Sequence, residues 1–212
     1  MDIDSIRREY LQGGLHRKDL KACPVEQFQV WLQQAVNAEL HDPTAMTVAT
    51  VDDSGQPSQR IVLLKELSAE GFVFYTNFGS RKAQELSKNN RISLHFPWHM
   101  LERQVKICGV AEKVPSAQAA KYFLSRPQES QLAAWASHQS RPISTRELLT
   151  QQFSRMKEKY SKGHIPLPDF WGGYCVVPHQ IEFWQGGGNR LHDRFVYTKQ
   201  PSGQWQIERL AP

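Results

Sequence analysis

The sequence predicts a mainly β protein, an antiparallel sheet or barrel with helices beside it. Three observations carry this prediction. Segments rich in aromatic and β-branched residues outnumber amphipathic helical ones. Most of these segments are joined by short turns rather than crossover helices, the mark of antiparallel pairing. And 212 residues with 40% hydrophobic and 22% charged side chains suffice for one well-cored domain. Residues 21–212 are read as that single domain, preceded by a mobile, polar and basic arm over 1–20.

The elements follow in order. After Pro24, Phe28, Trp31, Leu32, Ala35, Val36 and Leu40 recur at helical spacing, and proline suits a first helical turn. MTVATV, SQRIVLLK and FVFYTN then read as three strands separated by the turns DDSGQP and LSAEG. SRKAQELSKNN reads as a short helix capped by Ser80, and RISLHFPW and RQVKICGVAEKV as two more strands. From Pro115 the chain turns helical through SAQAAKYFLSR, ESQLAAWAS and a Ser144-capped TRELLTQQFSRMKEKYSKG. GGYCVVP, QIEFWQG, NRLHDRFVYTK and QWQIERLAP close the chain as strands.

Several function classes recede on composition. No run approaches a membrane span and the first residues lack an apolar signal core, so a cytoplasmic protein is expected. Three dispersed cysteines outside any C-x-x-C pair argue against a disulfide framework and a zinc site. His95 and His99 are four apart, but Pro97 lies between them and no H-E-x-x-H pattern is present; no metal is expected. The net charge of +5 favours anionic partners. Its scatter along the chain favours small phosphorylated ligands over nucleic acid.

The chemistry concentrates in four stretches. FWQGGGNRLHDRF, residues 183–195, has neither phosphate-loop spacing and reads as glycines leading into a strand. Alternation then puts Arg190, His192 and Arg194 on one side and Leu191, Asp193 and Phe195 on the other. Adjacent cations repel, so this face asks for an anion or an electron-rich ring. Arg81 and Lys82 stand at a helix start, where free amides and the helix dipole favour an anion. Arg60 and Lys65 sit at the two ends of a strand, and parity points them to opposite sides. Tyr122, Arg126 and Ser130 form one stripe if their helix is continuous; if Pro127 starts a new helix, Ser130 falls in its first turn. Ordinary solvated charge remains an alternative for each of these stretches taken alone.

Taken together, RREY (7–10), DPTAM, QRIVLLK, FYTNFGSRKA, FPWHMLERQV, YFLSRPQES, WASHQS, FWGGY, WQGGGNRLHDRF and the terminal ERLAP resemble the pyridoxine (pyridoxamine) 5′-phosphate oxidase family over nearly the whole chain. The resemblance implies a split β-barrel homodimer with FMN at the subunit interface. It also implies oxidation of pyridoxine and pyridoxamine 5′-phosphates to pyridoxal 5′-phosphate, with O2 as acceptor. Matched motif by motif, the FMN contacts fall on Arg60, Ile61, Val62, Leu63, Leu64, Lys65, Tyr75, Thr76, Arg81, Lys82, Gln104, Gln139, Ser140, Trp184 and Arg194. The substrate contacts fall on Lys65, Tyr122, Arg126, Ser130, Arg190, Leu191 and His192, with Arg7, Arg8, Glu9 and Tyr10 as a flap. Arg190 and His192 are the residues expected over the reacting ring. Another FMN split-barrel oxidoreductase and a non-catalytic carrier of pyridoxal phosphate or FMN stay open as alternatives.

Overall fold

The structure, a computed structural model, describes residues 9–10, 13–161 and 163–212. Arg7 and Arg8 of the expected flap lie outside the described residues. Helix α1 (Pro24–Asn37) starts with its proline in the first turn, as the sequence predicts. Its apolar face enters the core: the Phe28 ring meets Phe72, Phe96 and Trp98 at centroid distances of 4.9, 4.8 and 5.6 Å, and Trp31 meets Phe183 at 5.2 Å. Val36, expected on that face, is exposed; it lies beside the buried Ala35 at the margin of the stripe.

Strands β1 (Ala45–Val51), β2 (Pro57–Leu63), β3 (Glu66–Leu67), β4 (Phe72–Asn77), β5 (Arg91–Trp98), β6 (Arg103–Lys113) and β7 (Trp171–Gln185) form one antiparallel sheet in the order β2-β1-β5-β6-β7-β4-β3. Strand β8 (Asp193–Lys199) pairs with β7, and β9 (Trp205–Leu210) pairs with β8. One edge of β7 is taken by β6. The other is divided, with β4 along Trp171–Val176 and β8 along Gln180–Gln185. The sheet therefore branches at β7 and curls around a core that includes Phe28, Met46, Phe74, Leu94, Ile107, Phe183 and Tyr197.

GGYCVVP and QIEFWQG, expected as two strands, are one. Pro178 is accommodated at a bulge: Gly109 pairs with Pro178 and Cys108 with Gln180, so His179 is the extra residue. Beyond β6 the chain runs through α3 (Ser116–Ser125), α4 (Gln128–Ala136) and α5 (Arg146–Lys159). These build a second apolar cluster of Phe123, Leu132, Ile165 and Trp171 against the start of β7. The cap of α5 is Thr145 rather than Ser144, its hydroxyl accepting from the Leu148 N–H at 3.3 Å.

Within the stretch read as an arm, Leu15 is buried in the main core and its N–H donates to Asp193 at 2.9 Å. The docked part of the chain thus reaches back to Leu15. Among the described residues, no helix is long and apolar enough to cross a membrane.

Candidate active site

Helix α2 (Arg81–Lys88) begins where β4 ends, and its first turn faces the exposed edge strand β2 across a cleft of about 680 Å3. That size suits a cofactor-sized ligand. Arg60, Ile61, Val62, Leu63, Lys65, Tyr75, Thr76, Arg81, Lys82, Gln139 and Ser140, all expected as FMN contacts, line it. Leu64 does not; its side chain is buried in the core. Parity would send Arg60 and Lys65 to opposite sides, yet both line this one cleft. The ladder of β2 stops at Leu63, and the Lys65 N–H turns to donate to the Val73 carbonyl at 2.8 Å.

Two cations of the cleft, Arg60 and Arg81, are held by one buried carboxylate. Glu85, 5% exposed by side chain, lies 2.8 Å from Arg81 and 3.5 Å from Arg60. It also accepts hydrogen bonds from the hydroxyls of Thr50 and Ser58. Burial alone would raise the Glu85 pKa; the bonds from Thr50, Ser58 and Arg81 and the charge of Arg60 outweigh it and hold the carboxyl below its usual range. Arg60 is fixed further by donating to the Thr50 and Ser58 hydroxyls at 2.5 and 2.6 Å.

Lys82 has no carboxylate within salt-bridge distance among the described residues. Its ammonium donates to Thr76 at 3.1 Å and to Ser80 at 3.4 Å. The Ser80 side chain, expected to cap α2, makes no cap hydrogen bond and serves Lys82 instead. Burial, followed by the charge of Arg60, depresses Lys82 to about 8. A buried ammonium beside two arginines at a helix start is a fit for a phosphate, which would supply the missing charge.

The other wall is aromatic. Tyr75 stacks on Tyr122 at 4.0 Å and on Trp171 at 5.3 Å, and its hydroxyl donates to Glu66, which Gln118 also holds. Burial and the Glu66 bond raise the Tyr75 phenol well above its ordinary value, so it stays protonated. α3 stops at Ser125 and α4 starts after Pro127, leaving Arg126 extended between them. Its guanidinium turns into the cleft over the Trp171 ring at 5.0 Å. The Nη1 atom of Arg126 is buried without a hydrogen-bond partner. An orphaned buried donor of this kind is costly and marks a place for an acceptor. Ser130, on the same stripe only if the helix were continuous, lies in the first turn of α4 and does not line the cleft.

Gln104, Trp184, Arg190, Leu191, His192 and Arg194 do not line this cleft. Gln104 pairs across the ladder with Trp184, and Trp184 with Arg194, so these three form a row on one face of the sheet. The predicted alternation of Arg190, His192 and Arg194 does not hold. The strand starts only at Asp193, and Asn189 and Arg190 have left-handed φ values of 54° and 61° in a tight turn. Arg194 is already paired with Glu182 at 2.8 Å. The His192 ring lies against Trp184 and Tyr10 at 4.7 and 5.3 Å, and its Nδ1 accepts from the Gly187 N–H at 3.1 Å. The exposed Arg190 and Leu191 ride on the turn. The glycines allow close approach, here to the chain's own atoms: a Cβ on Gly186 would stand 2.6 Å from the Tyr10 ring, and one on Gly187 2.4 Å from the Leu191 carbonyl.

Residues 32–160 match the family model described as Pyridoxamine 5′-phosphate oxidase. Residues 171–212 match the model described as Pyridoxine 5′-phosphate oxidase C-terminal dimerisation region. The chain belongs to the pyridoxamine 5′-phosphate oxidase family. The Pyridoxine/pyridoxamine 5′-phosphate oxidases of Pseudoalteromonas translucida and Teredinibacter turnerae are 65% and 61% identical to it over 212 residues, the whole of each chain. The structure of PhzG from Burkholderia lata 383 in complex with tetrahydrophenazine-1-carboxylic acid superposes with a TM-score of 0.89 at 27% identity, covering 95% of this chain and 99% of that one. A pyridoxamine 5′-phosphate oxidase-related, FMN binding protein from Nostoc punctiforme shares the fold, with a TM-score of 0.73 at 13% identity over 91% and 100% of the two chains.

The expected fold class and family are borne out, and with them the oxidoreductase class that the relatives' name states. Two residues central to this oxidase-family cleft escaped the sequence reading. Glu85 is four residues after Arg81 on a predicted helix, a spacing that signals an ion pair. Trp171 stands inside the quoted FWGGY motif, but nothing in a linear motif tells a stacking platform from a core aromatic.

Proposed function

We propose that the chain is an FMN-dependent pyridoxine/pyridoxamine 5′-phosphate oxidase acting as a homodimer. The reading rests on one observation above the others: the cleft offers two separate anion-seeking groups, Lys82 beside Arg60 and Arg81, and the orphaned Arg126. Two phosphates are what a flavin mononucleotide and a B6 phosphate would bring. Lys82, Arg60, Arg81 and the amides at the start of α2 hold the FMN phosphate, with Thr76, Gln139 and Ser140 beside them. Arg126, Lys65 and Tyr122 hold the substrate phosphate, with Ser130 assigned there by family resemblance, so that the 4′ carbon is fixed in position for transfer.

The row Gln104, Trp184 and Arg194 and the turn bearing Arg190 and His192 stand apart from the cleft of their own chain. A second copy would supply them, and the match of residues 171–212 to a dimerisation region supports this arrangement. Arg190 and His192 then face the substrate ring, and Tyr10 packs behind His192 as part of the flap. FMN, when bound, supplies the two-electron acceptor, which O2 restores with release of hydrogen peroxide. The substrate loses a hydride from its 4′ carbon and a proton from the oxygen or nitrogen that carbon bears, giving the aldehyde directly from the alcohol; the amine gives an imine, which water hydrolyses to the aldehyde and ammonia.

The visible spectrum of the purified protein decides the matter. A yellow protein whose flavin band bleaches on anaerobic addition of pyridoxine 5′-phosphate, and returns in air with peroxide, is the expected outcome. A colourless protein that takes up no FMN overturns the reading, as does a flavin band indifferent to the substrate.

A further inference from the structure

The cleft holds its arginines in two different ways. Arg60 and Arg81 share Glu85, and Arg81 also reaches Asp52 at 3.5 Å. No carboxylate lies within salt-bridge distance of Arg126 among the described residues. Its guanidinium is carried instead on aromatic faces, over Trp171 at 5.0 Å and over Phe123 at 5.8 Å. Trp171 is itself immobilised: it is 7% exposed, lies parallel to Tyr75 within 5°, and takes the Phe123 ring edge-on at 5.2 Å.

We propose that Trp171 is a positioning residue for the substrate phosphate, its indole face holding the Arg126 guanidinium at the cleft wall without neutralising it. The inference rests on the reading of Arg126 as a ligand of that phosphate. A ring quadrupole attracts a cation but accepts none of its in-plane N–H donors, so these stay free for an incoming anion. A carboxylate in the same place would occupy the donors and repel a phosphate dianion. The difference suits the two ligands. A cofactor that stays bound tolerates arginines that share a carboxylate. The group that takes up and releases an anion in every turnover needs a partner that does not compete.

The test is a double-mutant cycle on the FMN-loaded enzyme, with KM and kcat for pyridoxine 5′-phosphate measured beside flavin content and thermal midpoint. Arg126→Ala raises KM roughly ten- to hundredfold. Trp171→Leu raises it about tenfold while kcat changes less than about threefold, and Trp171→Phe, which keeps a π face, loses only about two- to threefold in KM. In the Arg126→Ala background neither Trp171 variant raises KM further, because the group it positions is gone. A full Trp171 effect in that background refutes the positioning role, and so does an unchanged KM in Trp171→Leu beside a raised one in Arg126→Ala. An unchanged KM in Arg126→Ala overturns instead the assignment on which the inference rests. Should Trp171→Leu fail to fold, the cycle is run with Trp171→Phe, and an increase that persists in the Arg126→Ala background refutes the proposal.

Discussion

Replacing Lys82 by methionine should make the flavin-free protein more stable and the flavin complex weaker. Lys82 is 6% exposed, the partners of its ammonium are two hydroxyls, and its pKa falls from the ordinary 10.5 to about 8. Each pKa unit is worth about 1.36 kcal/mol, so keeping the charge buried costs the apo protein roughly 3 kcal/mol. The sign follows from proton counts. Below about pH 8 the folded and unfolded chains both carry the proton, and the cost is full. Between pH 8 and 10.5 only the unfolded chain carries it, so the cost fades as pH rises. Methionine fills the same channel uncharged but leaves the Thr76 and Ser80 hydroxyls without their donor, which offsets part of the gain. Urea unfolding of apo Lys82→Met should therefore show a gain of about 1 to 3 kcal/mol at pH 7 that shrinks towards pH 10. Titration with FMN should show its dissociation constant raised roughly ten- to hundredfold, the worth of one charge-assisted bond. Wild-type protein should also take up protons on binding FMN above pH 8, seen as a binding enthalpy that changes with the buffer. An apo variant less stable than wild type at pH 7, with FMN affinity unchanged, would refute the reasoning.

Three further outcomes are expected. Glu85→Gln frees Arg60 and Arg81 and should weaken FMN binding and lower stability by about 2 to 4 kcal/mol near neutral pH, read by flavin titration and denaturant melts. Because the folded carboxyl is held below its usual range, the Glu85 contribution is present above about pH 4.5 and is lost as pH falls further; the variant and wild type should converge in acid. Gly186→Ala drives a methyl into the Tyr10 ring and should raise KM for the B6 phosphate with flavin content intact, as steady-state kinetics would reveal. Swapping Gly203, whose φ of 84° no other residue adopts easily but whose Cβ would meet nothing, for alanine should cost only about 1 kcal/mol and leave KM alone, a control for the Gly186 result.

Most of the fold was legible because its signals are local. Pro24, the turn at Asp52–Gly55 and the alternation in β1 and β5 need no knowledge of distant residues. The errors fall where a long-range partner decides. Pro178 reads as a strand breaker until the bulge that accommodates it in β7, opposite β6, is seen. Arg190, Leu191 and His192 read as strand, but the loop closes on Tyr10 and puts Arg190 at positive φ. The site divides in the same way. Arg60, Arg81, Lys82 and Arg126 could be singled out from spacing and charge, while the roles of Glu85 and Trp171 depend on what the sheet folds against them.

The extra residue in β7 sets the phase of everything after it. Ahead of His179 the even-numbered side chains, Tyr174 and Val176, point into the core; past it the odd-numbered ones do, Ile181 and Phe183. Trp171 and Trp184, which plain alternation would put on opposite sides of the strand, both turn away from the main core as a result. Deleting one residue at the bulge would leave the Arg126 wall where it is and rotate Trp184 inward, out of its row with Gln104 and Arg194, while Phe183 turned outward. Chain length between these two tryptophans is therefore under the same constraint as the identity of the residues that touch the ligands, and a one-residue gap there should be tolerated far less than a substitution of His179 itself.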